Sequence, residues 1–226
     1  MKKILKAIGI FFLVATLIVA GLSVWKWDLI KSVYIGLTTN SKEISQKLDD
    51  TQDAMRKNIE EHTKITLRDP TSEELALIKS GKTTKAELFE KILNEAIEKY
   101  LNENNSESSF ETQYDRIVAE YTSVFYALKG KYIGMLDSLI GIADDEFDAL
   151  PKEQRTKATR SKIISKYINV ASGYEADCDK EVSSLLSSMK KDLKAINADT
   201  AIVDSIKEIY YEEKSLRISY YASKMK

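Results

Sequence analysis

The chain has 226 residues, with 34 Lys and Arg against 35 Asp and Glu, one cysteine and one histidine. A near-neutral, interspersed charge excludes the basic field of a nucleic-acid binder, a lone Cys178 excludes an intrachain disulfide, and one His62 with one distant Cys178 excludes a zinc motif built from those residue types. Only two prolines, Pro70 and Pro151, punctuate long stretches rich in Lys, Glu, Leu, Ile and Ala, a pattern that predicts an all-α fold.

Residues 1–6 form a short basic tail carrying Lys2, Lys3 and Lys6. Residues 7–25 (AIGIFFLVATLIVAGLSVW) carry no charge and are apolar on every face. As a helix they rise ~28 Å, close to the ~30 Å hydrocarbon thickness of a bilayer. Trp25 and Trp27 stand at the far end, where indoles favour the membrane interface. The reading is a single transmembrane signal-anchor. Its rival is a cleaved signal peptide, for which Val19-Ala20-Gly21 offers a weak cleavage site. More lysines precede the run than closely follow it, which predicts the N-terminus inside and the remainder outside the cytoplasm.

Residues 26–104 are expected to be a membrane-proximal helical region. Leu29, Ile30, Val33, Tyr34 and Leu37 recur at helical spacing, so residues 26–38 extend the membrane helix or lie in the interface. Asn40, with Glu43 three residues on, resembles a helix N-cap with a capping box. The next helix, to about His62, carries a thin stripe of Ile44, Leu48, Met55 and Ile59, which predicts a surface helix or a weak coiled coil and not a core element. After the connector Ile65 to Asp69, Thr71 with Glu74 and Thr84 with Glu87 repeat the capping signature, and Gly81 fits the residue past a helix end. The second of these helices carries Leu88, Phe89, Ile92, Leu93, Ala96 and Ile97. The polar stretch 102–109 (NENNSESS) is the best linker in the chain.

Residues 105–226 are expected to form an elongated antiparallel three-helix, coiled-coil-like bundle. Phe110, Tyr114, Ile117, Tyr121, Val124, Leu128, Tyr132, Met135, Leu139 and Ile142 step by three and four, as a coiled-coil seam does. After Pro151 a second seam runs Ile164, Tyr167, Ala171, Tyr174, Cys178, Val182, Leu185, Met189, Leu193 and Ile196, on a middle helix of about 45 residues and ~67 Å. Asn197-Ala198-Asp199 makes a turn, and the last helix carries Ile202, Ile206, Ile209, Leu216 and Tyr220. No internal repeat stands out.

Chemistry-bearing residues are few. Cys178 lies on a seam, where free cysteine packs as a small hydrophobe. His62 stands at a helix C-terminus. Asp144, Asp145, Glu146 and Asp148 form an acidic knot without the alternating ligands and glycine of a calcium loop. Gly130, Gly134 and Gly141 suit a close helix approach, with a kink or break near Gly130 as the alternative. Glu213 interrupts the last seam, where it either pairs with a lysine and sets register or points outward. Tyr210, Tyr211, Tyr220 and Tyr221 form two pairs ten residues apart, and tyrosine favours sites that are dry at one end and wet at the other. They form the candidate partner surface, with Trp25 and Trp27 at the membrane interface.

With no catalytic residue, cofactor or metal ligand set in view, the expectation is a membrane-anchored, extracytoplasmic helical scaffold or adaptor of a bacterial envelope and not an enzyme. Its expected partners are the lipid bilayer and a protein, or a second copy engaged through the helical seams, with no nucleic acid. A sensor-like ligand-binding helical domain and a secreted, membrane-active helical protein are the alternatives.

Overall fold

Capping chemistry sets most of the helix boundaries. The computed structural model describes residues 27–104 and 110–224. Among them the fold is all-α, with seven α-helices and no strand. In chain order these are α1 (Trp27–Thr38), α2 (Ser41–His62), α3 (Ser72–Lys79), α4 (Lys85–Glu103), α5 (Phe110–Asp148), a 3-10 turn (Lys152–Gln154), α6 (Lys157–Ala195) and α7 (Ala201–Lys224). Among the described residues no helix is long and apolar enough to cross a membrane. The expected span 7–25 lies outside them, as does Trp25.

Asn40 caps α2, its Oδ1 accepting from the Lys42 N–H at 3.0 Å, while Glu43 turns to Lys47 at 3.0 Å instead of closing a box. Thr71–Glu74 and Thr84–Glu87 form complete capping boxes on α3 and α4. α3 stops at Gly81, whose φ of 71° is left-handed. The Gly81 and Lys82 N–H groups turn back to Ile78 and Leu77, the paired bonds of a Schellman ending. α6 ends the same way on Asn197, at φ 57°, with the Ala198 N–H on the Leu193 carbonyl at 2.9 Å. That left-handed asparagine makes the expected turn into α7, whose first N–H, on Ala201, is taken by Asp199.

The described residues divide into two compact units, one made of 27–54 with 208–224 and the other of 55–207. In the second unit α5 and α6, each of 39 residues, form the main pairing. Their cross-links fix an antiparallel register: Tyr121 with Asp192, Tyr132 with Glu181, and Tyr167 with Glu146. At ~58 Å each helix is shorter than the 45-residue helix expected from the seam. α4 lies antiparallel along the first part of α5, with Tyr100 beside Asp115 and Phe89 against Tyr126.

The seam is displaced on the first half of α5. Val118, Ala119, Phe125 and Tyr126 are buried, with Thr112, Asp115 and Thr122, whereas Val124 is 48% exposed. Apolar spacing alone chose the neighbouring row. This half of α5 packs against α4 as well as α6, so its buried face is set by two neighbours and includes polar residues, among them Asp115, which accepts from the Tyr100 hydroxyl. Tyr132 and Leu139 are buried as expected, and on α6 so are Cys178, Val182, Met189 and Leu193, with Leu186 more deeply placed than Leu185. α2 is no surface helix. Ile44, Met55 and Ile59 are each 1% exposed, and Thr51 and Gln52 are buried with them, which a stripe of apolar residues alone could not reveal.

In the first unit, α1 runs parallel to the end of α7. Ser32 Oγ lies 2.7 Å from Ser215 Oγ, and Ser219 Oγ donates to the Ser32 carbonyl at 2.8 Å. Gly36 lies so close that an added Cβ would collide with the Ser219 carbonyl oxygen.

Candidate interaction surfaces

The α5–α6 hairpin is fastened by two matching clasps. On α5, Lys131 and Tyr132 both reach Glu181 of α6, at 3.2 and 2.9 Å. On α6, Lys166 and Tyr167 both reach Glu146 of α5, at 2.7 and 2.6 Å. In each, the lysine also lies over its neighbouring tyrosine ring. The donors hold both carboxyls below the usual carboxylate range. Lys166 is the larger influence on Glu146, and the Tyr132 hydroxyl on Glu181. A shift of 35 residues carries Lys131, Tyr132 and Glu146 onto Lys166, Tyr167 and Glu181, a local two-fold relation that a search for longer repeats does not find.

The acidic knot belongs to this hairpin. Besides Glu146, Asp148 pairs with Arg155 and Asp144 with Arg160, so cations of the returning chain neutralise the tip. Among the described residues no three His, Cys, Asp or Glu side chains stand as a set that could hold an ion. α4 accompanies α5 only to about Gly130, where Glu90 Oε2 lies 3.5 Å from the place of a Cβ. Added Cβ atoms at Gly134 and Gly141 would meet nothing, so the expected close helix approach at these glycines is not made. Past that point Ile140, Ile142, Ile168 and Val170 are all exposed, Ile142 at 51%. The seam pattern had placed Ile142 inside.

The four tyrosines of α7 are treated unequally. Tyr210 is buried and Tyr211 exposed, their rings meeting edge-on at 5.2 Å with Lys214 over Tyr211. Tyr220 and Tyr221 are both half-buried, at 5.8 Å. Glu213 is buried and takes Arg217, one turn on, at 2.7 Å. Trp27 opens α1.

A cavity of about 270 Å³ opens where α2 ends beside the start of α5, lined by Glu61, His62, Thr63, Lys64, Glu111, Tyr114 and Asp115. Asp115 organises it. This buried carboxylate accepts from the Tyr100 hydroxyl at 2.7 Å and from the Lys64 backbone N–H at 3.2 Å, joining α4, α5 and the connector. Sequence reasoning missed Asp115 because a charged residue one position off an apolar row reads as solvent-facing; only the 3.6-residue period from Thr112 through Thr122 hinted otherwise. Lys64 pairs with Glu111 and holds that carboxyl below its usual range. Burial, aided by the charges of Asp199 and Asp115, pushes the Tyr114 hydroxyl up to about 12. His62 Nδ1 stands 2.9 Å from the Asn58 carbonyl, which can only accept, so in the neutral ring Nδ1 carries the proton and Nε2 is the acceptor. Cys178 is buried, and the register of the hairpin sets it opposite Met135, ~31 Å along α5 from Tyr114 of the cavity beside His62. Cys178 and His62 are therefore too far apart to act as a nucleophile–base pair.

No family model, curated protein or solved structure matches this chain.

Proposed function

We propose that this chain is a non-catalytic scaffold or adaptor of a bacterial envelope, anchored by a single membrane pass at residues 7–25 with its helical units outside the cytoplasm. The observation that carries the adaptor reading is the α5–α6 hairpin. Its register is fastened by two clasps, while Ile140, Ile142, Ile168 and Val170 face outward on the part that α4 does not accompany. Apolar side chains left in water on a fixed frame favour a protein partner, which can be a second copy. The uncharged run 7–25 and the basic tail before it support the anchor and its orientation.

A photo-crosslinking residue at Ile142 or Ile168, in membranes from cells making the full chain, tests the reading. A discrete adduct with one protein, lost in an Ile142→Glu variant that stays folded, is the expected outcome; no adduct at either position rejects it. The cavity beside His62 favours a second reading, a ligand-binding sensor. A small molecule that co-purifies with the wild type and is lost in His62→Leu would establish it.

A further inference from the structure

α1 is packed inside out for a helix in water. Among its described residues the two buried ones are Ser32 and Gly36, set against Ser215, Ser219 and Ala222 of α7, with Ile35 half-buried beside them. Its outward face holds Tyr34, 67% exposed, and Leu37, 45% exposed, with Val33 at the edge. The hydrophobic effect favours the opposite arrangement. A helix of 12 residues is marginal alone in water, and serine hydrogen bonds give only about 1 kcal/mol each. Small residues inward with apolar residues outward is the arrangement helices adopt when their surroundings are lipid.

The chain before α1 says what those surroundings are. The uncharged run ends at Trp25, and α1 begins at Trp27. Two residues reach at most ~7 Å, so a bilayer holding the run holds α1 at its surface. Lys31 and Thr38, also exposed, lie beside the apolar arc, where a lysine reaches the headgroups.

Resting on the anchor reading above, the geometry points to the bilayer interface as the occupant of the Tyr34–Leu37 face. α1 lies in the headgroup boundary with that face toward the acyl chains. Its inner face holds the Ser215–Ala222 stretch of α7 within one helix spacing of the membrane, ~8–10 Å. The C-terminal end of α7 is therefore a membrane-proximal element, although it is the part of the sequence most distant from the anchor.

The test uses the full chain carrying Cys178→Ser, reconstituted in vesicles of phosphatidylcholine with a minority of phosphatidylglycerol. Bimane is attached at Tyr34→Cys or Leu37→Cys, two exposed positions where substitution leaves packing intact. Lipids bearing nitroxide near the headgroup are the quencher. Emission at 34 and 37 about threefold lower than in the same vesicles without nitroxide is expected for a face set into the headgroup boundary. Weak quenching at both in protein that floats with the vesicles and resists carbonate extraction overturns this inference and leaves the anchor standing. Protein that does not float overturns the anchor and this inference together. Bimane at 34 or 37 that is shielded from lipid nitroxide but quenched by a nitroxide on a second copy overturns it in favour of self-association.

Discussion

Gly36 and Gly134 illustrate how differently two helical glycines can matter. A methyl at Gly36 would collide with the Ser219 carbonyl and the Ala222 side chain, whereas at Gly134 it would meet open space. Gly36→Ala is expected to destabilise the α1–α7 seam by about 1–3 kcal/mol, as overpacking does, and Gly134→Ala to stabilise the fold by about 0.5–1 kcal/mol through helix propensity alone. Urea unfolding of the two variants checks both signs. Asp115→Ala removes the acceptor shared by Tyr100 and Lys64 and should cost about 1–3 kcal/mol by the same measurement. Cys178 was legible from the sequence, because a cysteine on a regular apolar row is read correctly by periodicity. Asp115, Ser32 and Gly36 were not, because their burial depends on hydrogen bonds and close backbone contact that apolar spacing does not encode. Cys178 should react with a thiol reagent at least about tenfold more slowly in the native chain than in denaturant, given its burial.

At the scale of elements, the helices that begin on a capping motif were the most legible, since Thr71, Thr84 and Asn40 act within a few residues. The pairing of α5 with α6 followed from two long apolar rows and a short connection. Their exact rows did not, because the side on which α4 packs is a tertiary fact. The clasps give the hairpin a pH dependence of definite sign. Glu146 and Glu181 are held below their ordinary range, so their contribution is complete above the unfolded value of about 4.3 and is lost as the pH falls through the lower folded value. The same sign applies to Glu74, which Arg68, the Thr71 backbone and Lys91 hold well below the carboxylate range. Thermal unfolding of the Glu146→Gln, Glu181→Gln double variant should show a lower Tm than wild type at pH 7 and a shrinking difference as the pH drops toward about 3. Parallel curves would show that the clasps do not stabilise the hairpin.

At the scale of the whole molecule, the compact units do not follow the order of the chain. The first described helix, the first part of α2 and the greater part of α7 share one unit, and residues 55–207 make up the other. No local motif announces this. Ser32, Gly36, Ser215 and Ser219 are too small and too polar to register as a packing pair across nearly the full length of the sequence. A disulfide engineered as Ser32→Cys, Ser215→Cys, in a Cys178→Ser background, should form spontaneously under mild oxidation, because the two hydroxyl oxygens stand 2.7 Å apart. Mass mapping of the cross-linked peptides checks it.

The parallel course of α1 and the end of α7 also has a mechanical consequence. Pulled at residue 27 and at residue 224, the two helices slide along one another in shear, so the serine contacts and the wedged Gly36 are loaded together and do not unzip one by one. The 55–207 segment leaves this unit and returns to it as a side branch, so tension between the chain ends bypasses it until the seam parts. Force spectroscopy on the full chain should therefore record a first rupture that frees the seam, with the α5–α6 hairpin yielding only afterwards.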